Sequence, residues 1–231
     1  MGVIVVAAGR GERVGGAPKQ YREIAGVPML LRSVRPFVAH PDVAHVAIVL
    51  PPADAAPPPQ WLAELLGGAL SVVGGGSERQ ASVAAGLAAL PDVCAVVLVH
   101  DAARPFASSA VIGAVIERAR AGEAAIAAVP VSDTLKQTGL DGRTVERTVS
   151  REGLWRAQTP QGFPRAVLAA AHAVAASAQA DSGAPATDDA ALVERNGGSV
   201  SVVPDSATNF KITTADDLSL AEAWARLGAG Q

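Results

Sequence analysis

The sequence predicts an α/β protein, a doubly wound and mostly parallel sheet that carries a projecting β-arm. Three observations point there. Short β-prone runs alternate with helical segments along most of the 231 residues, which is the rhythm of βαβ units. Several runs are wholly apolar, as residues 95–99 (AVVLV) are, and such runs suit strands covered on both faces of a parallel sheet. One stretch, 130–151 (PVSDTLKQTGLDGRTVERTVSR), breaks the rhythm. It is polar and β-prone, with Asp141-Gly142 as a hairpin turn signal.

The first apolar run, 3–8, empties without a break into Gly9-Arg10-Gly11-Glu12-Arg13-Val14-Gly15-Gly16, and Ala17-Pro18-Lys19-Gln20 closes the stretch. Gly9 and Gly11 let the backbone approach a ligand closely. The N–H groups of such a loop suit phosphate. Arg10, Arg13 and Lys19 add three positive charges to it, so its natural guest is a polyanion, with nucleoside triphosphate the leading candidate. A P-loop is excluded, because no Gly-Lys-Ser/Thr occurs. The dinucleotide fingerprint nearly fits residues 9–14, but Val14 stands at its third glycine, and the next strand ends in Pro51-Pro52 rather than an acid for a ribose.

The remaining elements follow in order. Residues 28–40 have helical spacing of apolar positions despite Pro36, and 43–50 read as the second strand. A proline-rich connection, 51–60, leads to a short helix at 61–66 and a third strand at 69–73. Gly74-Gly75-Gly76 opens a helix over 77–90; the strand at 95–99 precedes a helix over 108–121 and another buried-type strand at 124–129. After the arm, 154–159 returns as a strand and 164–180 as an alanine-rich helix. Thr187 is the predicted N-cap of a helix running to Asn196-Gly197, followed by a strand at 199–203, a polar-edged segment at 208–213 and a closing helix at 214–227. No internal repeat or second domain is visible, so residues 1–231 read as one domain with 130–151 as its arm. The arm has too little apolar surface to fold alone, and its expected partner is a second subunit.

In doubly wound sheets ligands bind outside the carboxyl ends of the strands. Strand one ends at the glycine loop, strand three at Gly74-Gly75-Gly76-Ser77, and strand four at His100-Asp101-Ala102-Ala103-Arg104-Pro105. These ends are expected to share one crevice. Asp101 is placed to hold Mg²⁺, which takes one or two carboxylates together with phosphate oxygens; the alternative is a side-chain cap on the following turn. His100 reads as packed or turn-bonded, since no second histidine stands at metal-ligand spacing.

Composition narrows the classes. Cys94 is the only cysteine, so no disulfide forms within the chain and a reducing compartment fits. The net charge of −3 comes without basic blocks, against a nucleic-acid binder. No apolar run approaches the roughly 20 residues of a membrane span, and no signal peptide is recognisable. A cytoplasmic protein is expected. Of 19 basic residues only Lys19, Lys136 and Lys211 are lysine, and a lysine kept among so many arginines suggests a site that needs a compact ammonium.

Seven segments carry a resemblance: AAGRGERVGGAPKQY (7–21), GGGSERQASVAAGL (74–87), VHDAARPF (99–106), PVSDTLK (130–136), LWRAQTPQGF (154–163), TDDAALVE (187–194) and NFKITTADDL (209–218). In this order they resemble the 2-C-methyl-D-erythritol 4-phosphate cytidylyltransferases over essentially the whole chain. The departures are Val6 for a frequent proline, Val14 for a frequent methionine, Ser77 for a commonly charged residue and Arg22 for a usual apolar one.

The resemblance implies a Rossmann-like nucleotidyltransferase sheet and the transfer of CMP from CTP to the erythritol phosphate, with Mg²⁺ as cofactor and a homodimer formed through the arm. Arg13 and Lys19 match the family's transition-state stabilisers, and Asp101 its magnesium-binding aspartate. Ala7, Ala8, Gly76 and Ser82 match cytosine and ribose contacts, next to the phosphate-facing Gly9 and Gly11. Lys211 and Arg151 match the residues that hold the erythritol phosphate, with Thr134 and Thr187 as lesser contacts. Two other functions compete: a ribitol-5-phosphate cytidylyltransferase, which shares the AAG…PKQ, HDA-x-RP and QTPQ-x-F elements, and a non-catalytic CTP sensor. Ser82, Arg151 and Asp188-Asp189 fit the methylerythritol family better, and joint retention of Arg13, Lys19 and Asp101 speaks against a sensor. A length of 231 residues also leads us to expect no fused downstream cyclase.

Overall fold

The first strand, β1 (Gly2–Val6), sits inside a sheet that has seven strands among the described residues, which are 1–9, 18–65, 68–178 and 186–228 of this computed structural model. On one side β1 pairs in parallel with β4 (His45–Leu50), and β4 with β5 (Leu70–Gly74). On the other side it pairs in parallel with β6 (Val96–Asp101). Next come β10 (Trp155–Pro164), antiparallel to both neighbours, then β7 (Ala124–Pro130) and β11 (Val200–Pro204), parallel to each other. The chain winds outward from β1 through β4 and β5, then resumes on the other side of β1 with β6. That reversal opens a crevice beyond the carboxyl ends of β1 and β6, the usual ligand position in such sheets. Val6 and Asp101 are register partners at its edge.

Both faces of the sheet are covered, and the period of two in β1 divides its side chains between them. Val3 and Val5 join Ile48 and Leu98 against α1 (Met29–Val38) and α5 (Ser109–Arg120). Ile4 joins Val49 and Val99 against α4 (Arg79–Ala89), α6 (Arg165–Ala178) and α7 (Asp189–Arg195). Each fully buried branched side chain contributes roughly 1.5–3 kcal/mol. A slip of one residue would carry Ile4 to the wrong layer, so the apolar pattern also fixes the register.

Several elements differ from expectation. Between Lys19 and α1 the chain makes a 3-10 turn (Lys19–Tyr21) and a small hairpin of β2 (Glu23–Ile24) and β3 (Val27–Pro28). Its turn residues Ala25 and Gly26 both have positive φ, 48° and 72°, as a tight hairpin requires. The proline-rich stretch forms a one-turn helix, α2 (Pro52–Ala55), and the short helix expected at 61–66 lies at α3 (Gln60–Ala63); proline suits a first helical turn because no N–H partner is needed there. The strand expected at 154–159 continues to Pro164 through a shift of register between Ala157 and Gln161. Thr187 is not the N-cap of α7. Asp188 is, with an extended backbone and a side chain that accepts from Ala191 N at 2.9 Å. A carboxylate one residue later reaches that amide, while Thr187 stays exposed.

The arm behaves as its polarity predicts. Strands β8 (Leu135–Thr138) and β9 (Val145–Val149) bond to each other in a two-stranded sheet separate from the main one, and most of their residues are exposed. Asp141 shapes the turn by accepting from the Arg143 and Thr144 amides and from the Thr144 hydroxyl. The last helix, α8 (Ala215–Gly228), starts at a reciprocal cap, in which Asp217 N donates to Thr214 Oγ1 and Thr214 N to Asp217 Oδ2.

Candidate active site

The three predicted strand ends meet. A cavity of about 530 Å³ opens beyond them, inside the roughly 300–1,000 Å³ range of small-molecule sites. Ala7, Ala8 and Gly9 line it from the end of β1, Gly76 from the loop after β5, and Asp101 from the end of β6. The ladder continues past the strands: Ala7 N donates to Val49 O at 2.8 Å, Ala102 N to Val6 O at 3.0 Å and Gly75 N to Leu50 O at 2.8 Å. Glycine is needed at position 75, because a Cβ there would lie 2.6 Å from Ala8 Cβ and 2.7 Å from Ser82 Oγ. Ser82 on α4 is buried, and its hydroxyl closes the loop by accepting from Gly76 N at 3.2 Å and donating to Glu78 O at 3.0 Å. Its hydroxyl thus shapes the Gly76 turn from behind.

Two of the three lysines are brought side by side. Lys19 Nζ donates to the Ile212 carbonyl at 2.6 Å, next to Lys211, and both lysines line the cavity. Segment 209–212 is held there by main-chain bonds. Arg104 donates to the Asn209 carbonyl at 2.8 Å, Gln158 Nε2 to the same carbonyl at 3.0 Å, and Ile212 N to Ala103 O at 2.9 Å. Lys19 and Lys211, two of the three lysines singled out in the sequence, thus share one cavity wall, while Lys136 lies on the arm, where it donates to Thr148.

Asp101 does not cap the turn with its side chain. Its Oδ2 lies 2.7 Å from Lys211 Nζ, and its Oδ1 lies 3.4 Å from Arg79 Nε. Burial works to raise its pKa, but the Lys211 and Arg79 cations outweigh burial and hold the carboxyl far below the usual carboxylate range. Asp101 is therefore an anion in a cationic wall. His100 is packed, as expected: fully buried, with Nε2 on the Arg104 carbonyl and Nδ1 on the Thr159 hydroxyl, each at 3.0 Å.

Other predicted residues fall elsewhere. Arg13 and Gly11 lie outside the described residues. Arg151, Thr134 and Thr187 are exposed and, among the described residues, take no part in the cavity wall. Arg151 instead meets the Ser132 carbonyl within the arm. The main omission of the sequence reading is Arg79, which lines the cavity and bridges Asp101 and Asp189. A signal existed, since Arg79 is the one base in the segment that follows the Gly74–Gly76 run. Its partners are 22 and 110 residues away, so no local pattern marks them.

A family model described as 2-C-methyl-D-erythritol 4-phosphate cytidylyltransferase matches residues 1–226. The chain belongs to this family. A cytidylyltransferase of that name from Salinibacter ruber is 46% identical over 96% of this chain and 92% of its own length. A protein from Rhodospirillum rubrum called "Bifunctional enzyme IspD/IspF" is 44% identical over 95% of this chain, which spans 55% of that relative's length. Among solved structures, the cytidylyltransferase from Thermus thermophilus is 38% identical with a TM-score of 0.78, covering 96% of this chain and 98% of that one. The 4-diphosphocytidyl-2C-methyl-D-erythritol synthase of Anaerococcus prevotii superposes with a TM-score of 0.82 at 29% identity, covering 97% of each chain. The mostly parallel sheet with helices on both faces is thus the cytidylyltransferase fold. Among the described residues no helix is long and apolar enough to cross a membrane.

Proposed function

We propose that this cavity binds CTP and transfers its cytidylyl group to the phosphate of 2-C-methyl-D-erythritol 4-phosphate, within one nucleotidyltransferase domain. A phosphate oxygen of the erythritol substrate forms a bond to the α-phosphorus. The bond from that phosphorus to the bridging oxygen breaks in line, and pyrophosphate leaves with the electron pair. The observation that carries this reading is the convergence of Lys19, Lys211 and Arg79 in one cavity wall at the mouth of β1 and β6, with Lys211 and Arg79 on the Asp101 carboxylate. No protein nucleophile is needed, and catalysis is positioning plus neutralisation of phosphate charge.

Each residue has a task in this scheme. Ala7, Ala8, Gly9 and the Gly76 turn, braced by Ser82, take the nucleoside between two backbone edges held at glycine distance. Lys19, fixed on the Ile212 carbonyl, neutralises charge gathering at the α-phosphorus, together with Arg13 and the Gly11 amide of the same loop. Lys211 leaves Asp101 for the incoming erythritol phosphate. The donor set fits Mg²⁺ brought in with the triphosphate. Among the described residues no three acidic, histidine or cysteine groups cluster as a metal cage, and Mg²⁺ characteristically takes one or two carboxylates and fills its shell with phosphate oxygens and water. Asp101 would hold it, and the ion would supply further neutralisation of the phosphate oxygens. Among the described residues the arm that carries Arg151 and Thr134 takes no part in the chain's own cavity wall, and in this reading the two residues serve the pocket of a second copy in a two-fold dimer. Thr187, exposed before the Asp188 cap, is a lesser contact for the same phosphate.

The test is pyrophosphate release from CTP and Mg²⁺ with each of two acceptors. Release with the methylerythritol phosphate alone supports the proposal. Release with ribitol 5-phosphate alone replaces the acceptor. Silence with both, while CTP still binds, makes the chain a CTP sensor.

A further inference from the structure

Behind the cavity wall a line of charged side chains runs inward from Lys211. After the Lys211–Asp101 and Asp101–Arg79 contacts, Arg79 Nη1 donates to Asp189 Oδ2 at 2.6 Å, and His172 Nε2 meets Asp189 Oδ1 at 2.9 Å. Asp189 has no exposed surface, so no substrate can touch it. The distances along the line are unequal in an informative way. Left alone, a guanidinium and a carboxylate close a bidentate pair, with two short parallel bonds of about 2.7–2.9 Å. Arg79 and Asp101 have not done so. Arg79 gives its short bond to Asp189, keeps only a 3.4 Å contact with Asp101, and leaves its buried Nη2 without a hydrogen-bond partner among the described residues. His172, itself buried, holds the other oxygen of Asp189 and so fixes the carboxylate that does the pulling.

We propose that Asp189 is a positioning residue for the transfer reaction: it draws Arg79 back from Asp101, so that the Asp101 carboxylate remains available to the pocket. Without the charge of Asp189, Asp101 is the carboxylate that Arg79 still contacts among the described residues. It turns two nitrogens onto Asp101 and competes there with whatever the nucleotide brings. The inference rests on the cytidylyl-transfer reading, and it makes Arg79 the agent of any damage done at position 189.

A double-mutant cycle separates this role from a merely structural one. Asp189→Asn keeps the shape and removes the charge. Per folded enzyme, its kcat should fall about tenfold with KM for CTP changed less than about threefold, a coupling within the range of contacting residues. In an Arg79→Gln background the same change should lower kcat no more than about twofold. Calorimetry gives a readout apart from turnover: Asp189→Asn should weaken binding of CTP with Mg²⁺ about fivefold more than binding of metal-free CTP. Thermal unfolding supplies the folded fraction of each variant. Wild-type kcat per folded Asp189→Asn enzyme, or an undiminished loss in the Arg79→Gln background, would overturn the proposal. If Asp189→Asn does not fold, His172→Ala takes its place, releasing one oxygen of Asp189. Its expected loss of about threefold should vanish with Arg79→Gln; no loss, or a loss that persists, overturns the inference equally. Failure of the transfer reading would show in the wild type, as absent pyrophosphate release, while the calorimetric comparison still judges Asp189.

Discussion

Lowering the pH from 7 to 5 should destabilise this protein through His100, by an amount that its surroundings set. The ring is fully buried beside Phe37, with centroids 4.8 Å apart. The Arg104 carbonyl at Nε2 can only accept, so the hydrogen-bond pattern puts the proton on Nε2. Nδ1 then accepts from the Thr159 hydroxyl, and the oxygen of that hydroxyl accepts the Asp101 amide at 3.0 Å. Burial pushes the imidazole down to about 4, outweighing the Arg104 carbonyl and the Asp101 charge, which favour the cation. The folded value thus lies below the unfolded one of about 6.5, so the unfolded chain binds the proton more tightly. Stability is full above pH 6.5, falls as the pH drops toward 4, and levels off below that. Linkage between these two values gives a loss of about 2 kcal/mol at pH 5 and about 3 kcal/mol at pH 4. The assay is urea unfolding at pH 7, 6 and 5 for the wild type and for His100→Gln, which keeps one donor and one acceptor but does not titrate. The wild type should lose about 2 kcal/mol more than the variant between pH 7 and 5. Parallel losses would refute the assigned tautomer and the desolvation behind it.

Lys19→Ala should lower kcat at least ~10²-fold, the scale for one transition-state donor, and Lys19→Arg should also be poor because a planar fork cannot replace a point charge on the Ile212 carbonyl; steady-state kinetics with survival within a few-fold would remove Lys19 from its role. Gly75→Ala forces a methyl against Ala8 and Ser82 and should cost about 1–3 kcal/mol, read as a lowered Tm together with weaker CTP binding. Mixing Lys19→Ala with Arg151→Ala under subunit exchange should return roughly a quarter of wild-type activity if the arm completes its partner's pocket in a two-fold dimer; no recovery after confirmed exchange would confine Arg151 to its own chain.

Much of the fold was legible because its signals are local. The apolar run of β1, the Gly74–Gly76 break before α4 and the Asp141-Gly142 turn each announce themselves within a few residues. Backbone preference and side-chain period act at that range. The convergence of three strand ends followed from the winding rule, and the positions of Ala7, Ala8, Gly76 and Asp101 agree with it. The Thr187 cap was misplaced by one residue because two adjacent side chains both suit an N-cap, and only the geometry of the first turn chooses Asp188.

What the sequence alone determined, then, was the succession of elements and which of them carry glycine, lysine and carboxylate at their ends. Tertiary structure alone decided the partners. Strand β10 became the antiparallel insert between β6 and β7, Lys211 met Asp101 across 110 positions, and Arg79 met Asp189 across the same span. Such pairs depend on strand order and register, which arise from the whole set of buried faces and leave no trace in the spacing of neighbouring residues.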